Sequence, residues 1–315
     1  MLAVIAARFS DDDPLSGLEL GERPSPLPPP GWEVVHVRAA GLNHHDLWTL
    51  RGVGVPPERL PIVLGCDAAG VTSDGREVVV HAVVEEEEDG DASILSERYD
   101  GTHAEVVVVP SANLVDKPPE LSFAEAACLP TAWLTAYRML FVQGGLRPGQ
   151  RVLVQGAGGG VATAAIALAR AAGMKTYATS RSEDKRRQAL DLGAHEVFES
   201  GARLPERVDG VVETVGAATW AHSLRCLDPG GVVVVAGATT GADPPADLRR
   251  VFYRQLRVVG STMGTRAELV DLLRMLSATG VRPAIDTTMP LADAAAAYAR
   301  MAAGDVFGKL VLTPG

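Results

Sequence analysis

Val152-Leu-Val-Gln-Gly156-Ala157-Gly158-Gly159-Gly160-Val161-Ala162 is the stretch that decides the fold. A short apolar run meets a glycine cluster, and an alanine-rich segment with helical character follows as far as Gly173. Strand, glycine turn and helix in that order make the phosphate-binding turn of a dinucleotide site. Glycine is needed on steric grounds. Without a Cβ the chain turns sharply, and its N–H groups can approach a pyrophosphate at the positive end of the helix. The fingerprint falls on Ala157, Gly159 and Ala162, and alanine in the third place still permits close packing of helix on strand. Gly156, Ala157, Gly158, Gly159, Gly160 and Val161 are the expected cofactor ligands; a glycine-rich turn that holds no ligand is the competing reading.

Outward from this turn, strand-like and helix-like runs alternate, with strands expected at 151–155, 174–179, 195–198, 208–213, 231–236 and 256–261. Such alternation predicts a parallel sheet with crossover helices, and six strands make two mononucleotide-binding halves. The fold class is therefore α/β, with a doubly wound parallel sheet. Upstream, valine-rich runs at Trp32 to Ala39, Glu77 to Val84 and Glu105 to Val109 are separated by turn residues, the pattern of a β-rich unit. After Gly280 the chain returns to short strands around the helix Leu291 to Ala303 and the run Lys309-Leu-Val-Leu-Thr313, which is expected to pack back on the first unit. The expected domains are residues 1–120 with 265–315, and residues 121–264.

The end of the second strand selects the nucleotide. An NAD site carries Asp or Glu there to accept from the ribose 2′-hydroxyl. This chain has Thr179-Ser180-Arg181-Ser182, with Lys185, Arg186 and Arg187 close behind. Hydroxyls and cations suit a 2′-phosphate, so Ser180, Arg181 and Lys185 point to NADP(H); solvated basic residues at a helix start are the alternative.

Composition excludes other classes. The chain has 315 residues, of which 39 are acidic and 29 basic, a formal net charge of −10. With no long basic run, nucleic acid is not an expected partner. No apolar stretch approaches bilayer length, and Met1 to Ser10 has no basic leader before Asp11, Asp12 and Asp13, so a cytoplasmic protein without a membrane partner is expected. Cys66, Cys128 and Cys226 are too few and too scattered for a disulfide framework or a four-cysteine zinc site. Pro24 to Pro30 reads as a stiff surface connector, and the acidic run from Glu85 to Asp91 as a solvated loop.

Several short motifs together resemble the medium-chain dehydrogenase/reductase superfamily, the group of alcohol dehydrogenases and quinone oxidoreductases. They are Ala40-Gly-Leu-Asn-His-His-Asp46, Leu64-Gly-Cys-Asp-Ala-Ala-Gly70, Gly101-Thr-His-Ala-Glu105, Leu129-Pro-Thr-Ala132 through Thr135-Ala-Tyr137, Glu213-Thr-Val-Gly216 and Phe307-Gly-Lys-Leu310. The resemblance implies a GroES-like catalytic domain beside the Rossmann domain, an active site between them, and nicotinamide chemistry. The places where zinc-dependent members hold catalytic zinc look like Asn43, Cys66 and Thr131. An amide, one thiol and a hydroxyl are a poor zinc site, so no metal is expected and the chain looks like the zinc-independent quinone oxidoreductase branch. A rival site at His44 and His45 is disfavoured, because neighbours on a strand face opposite ways.

Without a Lewis acid, alcohol oxidation is disfavoured, whereas a quinone or conjugated C=C needs only hydride delivery and donors for the developing oxyanion. The resemblance therefore implies an NADPH-dependent reductase of a small electrophilic substrate. Asn43 would orient substrate or ribose, Thr131 would lie near the nicotinamide, His45 or water would supply a proton, and Trp48 would wall the pocket. Structural roles for Asn43, His45 and Trp48 are the alternatives. Val215, Gly237, Ala238, Met263, Gly264 and Lys309 are further expected cofactor contacts. A homodimer through the apolar strand 256–262 is implied as well. The alternatives are a zinc-type alcohol dehydrogenase and a non-catalytic, crystallin-like NADPH-binding protein.

Overall fold

The computed structural model describes residues 1–85 and 92–315. The chain divides into two units: Met1–Thr131, Thr265–Ser277 and Ile285–Gly315 make the first, and Ala132–Gly264 with Ala278–Ala284 the second.

In the second unit, Arg151–Val154, Lys175–Thr179, Glu196–Phe198, Val208–Glu213, Leu227–Val235 and Arg257–Gly260 pair in parallel throughout. Counted one to six along the chain, they stand in the order 3-2-1-4-5-6. That is the doubly wound Rossmann arrangement, whose strand order reverses beside the first strand. Parallel strands are buried on both faces, which accounts for continuous valine runs such as Val232 to Val234 rather than alternation. The expected strand 231–236 begins earlier, at Leu227, and carries a turn at Gly230 with φ +80°. Small residues on the helix Gly160–Ala171, among them the buried Ala164 and Ala165, let it lie close to the sheet.

The first unit is built on the ten-residue strand Trp32–Gly41. It pairs antiparallel with Asp67–Thr72, Val106–Pro110 and Lys309–Thr313. A smaller sheet joins Leu18–Glu22, Leu2–Ala6 and Ile62–Val63. Between them lies a core of Val4, Leu42, Leu50, Leu64, Tyr298 and Leu312. The expected strand Glu77 to Val84 is two, Glu77–Val80 and Val83–Glu85, separated at His81 and Ala82. Residues 121–131, expected in the second unit, belong to this one. Leu121, Ala126, Cys128 and Leu129 are buried, and the Ala127 carbonyl lies where a Cβ on Gly41 would come within 2.5 Å. Only glycine fits there.

Pro24 to Pro30 has no regular structure apart from a turn at Pro30 and is mostly exposed. Glu85 closes a strand, and the rest of the acidic run, residues 86–91, lies outside the described residues. No helix among the described residues is long and apolar enough to cross a membrane.

Candidate active site

Register in the first unit brings three distant pieces of sequence together. Gly41 pairs with Asp67 on one side and Val311 on the other. The chain beyond Gly41 therefore runs beside the Cys66–Asp67 corner and the start of the strand Lys309–Thr313, and Leu42 N donates to Leu310 O at 3.0 Å. Asn43 is buried and opens the helix His44–Leu50, its backbone N–H donating to Asp46 Oδ2 at 2.8 Å. This is one half of a capping box, with the carboxylate three residues into the helix closing back on the cap.

Around Asn43 the side chains form a buried polar cluster. Asn43 Nδ2 lies 3.3 Å from Gly41 O and 3.5 Å from Cys66 Sγ. Cys66 Sγ lies 3.4 Å from Thr131 Oγ1, and Thr131 Oγ1 donates to Asp67 Oδ1 at 2.6 Å. Asn43, Cys66 and Thr131, separated in sequence, do converge. Thr131 sits in a π-helical turn, Leu129–Trp133, a geometry often found at functional sites.

Lys309, expected among the cofactor contacts, is buried and fully committed within the first unit. It is 2% exposed, and Nζ donates to Leu42 O at 2.5 Å, Asn43 Oδ1 at 2.6 Å and Asp67 Oδ2 at 3.3 Å. An ammonium has three N–H groups, and all three have acceptors here. A neighbouring pair is also buried: His103 Nδ1 lies 2.8 Å from Tyr298 Oη. Burial holds His103 down at about 4 and pushes Asp46 up to about 7.

His44 and His45 lie on a helix, not on a strand as expected. Successive helical side chains diverge by roughly 100°, which follows from about 3.6 residues per turn, so the pair still does not converge. His44 is exposed. His45 Nε2 is buried without a hydrogen-bond partner, 3.7 Å from Glu97 Oε1, and burial holds the ring down at about 4. Trp48 is half-buried, with the Arg51 guanidinium 5.0 Å above its ring and the His44 ring 6.4 Å away.

The donor chemistry at Asn43, Cys66 and Thr131 does not fit zinc, which needs three good N, S or anionic O ligands. Lys309 holds the amide oxygen, Asp67 takes the Thr131 proton, and burial pushes the Cys66 thiol well up, keeping it protonated. Among the described residues no group of three or more His, Cys, Asp and Glu could hold a metal ion.

In the second unit the expected cofactor ligands gather at the C-terminal edge of the parallel sheet. Gly156, Ser180, Val215, Gly237 and Met263 each follow a different strand end. The residues fit a dinucleotide. Gly156 and Gly158 have φ of +70° and +131°, Gly159 has open space where a Cβ would stand, and Gly160 begins a twelve-residue helix. Ser182 caps the next helix by accepting from Lys185 N. The Lys185 side chain passes close to Gly158, while Arg186 Nη1 donates to Ser180 O at 2.8 Å and holds that corner. Arg181 is exposed.

A second buried network ties three strand ends together and was missed from sequence. Glu213 Oε1 accepts from Val215 N at 2.8 Å and Gly216 N at 3.1 Å; its two oxygens also take the hydroxyls of Thr219 and, at 2.6 Å, Ser223. Gln155 Nε2 donates to Ser223 Oγ at 2.9 Å, and Gln155 Oε1 accepts from Thr179 Oγ1 at 2.5 Å. The legible signal was an acid ending a run of valines, Val211-Val-Glu213. Such a residue is buried and must find donors.

Comparison with known proteins agrees with this architecture. Residues 29–119 match the alcohol dehydrogenase GroES-like domain and residues 160–278 the zinc-binding dehydrogenase domain. The chain is 30% identical to a zinc-type alcohol dehydrogenase-like protein of Schizosaccharomyces pombe over 98% of this chain and 99% of that one. It is 28% identical to quinone oxidoreductase of Mus musculus over 91% of this chain and 90% of the relative. A solved structure described as an NAD-dependent alcohol dehydrogenase superposes with TM-score 0.92 at 35% identity, covering all of both chains. With its GroES-like β unit and Rossmann sheet, the chain belongs to the medium-chain dehydrogenase/reductase superfamily of oxidoreductases, in the quinone oxidoreductase-like branch.

Proposed function

We propose that the protein is an NADPH-dependent oxidoreductase that reduces a quinone or an α,β-unsaturated carbonyl compound without a metal. The observation that carries this reading is the cluster at Asn43, Cys66 and Thr131, where a buried ammonium, an amide and a hydroxyl stand in place of a zinc ligand set. NADPH supplies a hydride when bound. The chain's own contribution is binding and orientation: N–H groups at Gly158 to Val161 take the pyrophosphate, and Ser180, Arg181 and Lys185 take the 2′-phosphate in the absence of an acid at that strand end. Asn43 and Thr131 orient ribose or substrate. With an enone as substrate, the hydride would go to the β-carbon, and the resulting enolate would need a proton on carbon. Burial holds the His45 ring down at about 4, so it is neutral at neutral pH, which favours water over His45 as the proton source.

The relative named quinone oxidoreductase supports the substrate class. The test is consumption of NADPH and of NADH with a panel of quinones, enones and 2-alkenals, alongside metal analysis of the purified protein. Turnover favouring NADPH without metal is expected. Stoichiometric zinc with chelator-sensitive alcohol oxidation overturns the reading, as does tight NADPH binding without turnover on any member of the panel. The protein is further proposed to form a homodimer. The strand Arg257–Gly260 is a sheet edge, and Val258 on it and Phe252 and Tyr253 on the preceding helix are exposed.

A further inference from the structure

We infer that Lys309 is a positioning residue: its ammonium, paired with Asp67, fixes the direction of every hydrogen bond in a closed ring through Asn43, Cys66 and Thr131. The directions follow from what each group can do. An ammonium only donates and a carboxylate only accepts. Lys309 Nζ lies 2.6 Å from the Asn43 side-chain oxygen and 3.3 Å from Asp67 Oδ2. Which end of an amide is oxygen is ordinarily a matter of assignment, but a donor-only partner settles it. Asn43 therefore turns its NH2 toward Cys66 Sγ, 3.5 Å away.

From the opposite side, Asp67 Oδ1 takes the single Thr131 hydroxyl proton at 2.6 Å. Thr131 Oγ1 then has only lone pairs left for Cys66 Sγ, 3.4 Å away, so the S–H donates to Thr131. The protons all point one way, from ammonium to amide to thiol to hydroxyl to carboxylate, and the Lys309–Asp67 contact closes the ring. Lys309 and Asp67 are 2% and 0% exposed, so water does not compete for these bonds. The remaining lone pair of Thr131 makes it an acceptor toward any ligand, matched to a hydroxyl or amide N–H. Only that last step rests on the proposed function; the ring itself does not.

The Cys66 S–H stretching band reads the ring directly, without substrate or cofactor, and the difference from Cys66→Ala assigns it among the three cysteines. In the unmodified protein one band of a hydrogen-bonded thiol is expected. Thr131→Val removes the acceptor at nearly constant volume and is expected to shift the band up to that of a thiol with no acceptor. Lys309→Met frees the Asn43 amide to turn its oxygen to Cys66, and the band is expected to split or broaden; Lys309→Arg is expected to restore one band. Removing one partner of a buried ion pair can unfold a protein, so Lys309→Met/Asp67→Asn, which leaves no unpaired charge, carries the same expectation. A single unshifted band in the folded double variant, or a band unmoved by Thr131→Val, overturns the inference. Reductase activity, present or absent, bears only on the proposed function.

Discussion

Asp46 is fully buried in the first turn of the helix His44–Leu50, where it accepts the Asn43 N–H at 2.8 Å. Burial raises its carboxyl from an ordinary 3.8 to about 7. Between these values the folded chain keeps a proton that the unfolded chain has lost. The stabilisation is therefore complete below about pH 4 and fades as pH rises through 7. Asp46→Asn keeps an oxygen for the Asn43 N–H and removes the titration. Unfolding in urea across this range is expected to show wild-type stability falling relative to the variant by up to about 1.4 kcal/mol per pH unit. The opposite slopes from His45 and His103, both held down at about 4, are common to the two proteins and cancel. A pH-independent difference would mean that Asp46 is ionised in the fold. At this scale the sequence showed Asn43, Cys66 and Thr131 as one constellation, since short motifs carried them. It did not show Lys309 or Asp67 as their partners. That contact spans 242 residues and is made by strand register, which no local pattern encodes.

Elements were legible where physics is local. Of the six parallel strands, Arg151–Val154, Val208–Glu213, Leu227–Val235 and Arg257–Gly260 stand out as valine runs, while Lys175–Thr179 has no valine and is marked by its place after the helix Gly160–Ala171; their observed bounds fall close to the expected ones. The short helix at His44 was lost because the preceding strand pattern runs straight into it, and the cap that starts it depends on a backbone-to-carboxylate bond. The strand Val208–Glu213 illustrates what an element end can do. Glu213 has an acceptor for every donor around it, so replacing one oxygen by an NH2 sets donor against donor. Glu213→Gln is expected to cost about 2–4 kcal/mol in thermal or chemical unfolding and to weaken NADPH binding through the loosened Val215–Gly216 turn. An unchanged melting temperature would show that the network has slack.

At the scale of the whole molecule, the edge strand Arg257–Gly260 of the Rossmann sheet carries exposed apolar surface. Val258 lies on the edge strand with 49% of its surface exposed, and Tyr253 nearby is 80% exposed. Val258→Lys is expected to convert the proposed dimer to a monomer in light scattering, with the fold intact by circular dichroism; a monomeric wild type removes the assembly altogether. The interrupted first unit has a further consequence, for synthesis. Lys309 reaches Asn43 across 266 residues, and the whole stretch 132–264 leaves the ribosome before the strand that carries this ammonium. On a nascent chain the Rossmann sheet can close while Asp67 still has no counter-ion, so the cluster at Asn43 is assembled last. A chain cut short after Ala284 would therefore keep every strand of the Rossmann sheet and lose the strands Ile285–Pro290 and Lys309–Thr313 from its first unit.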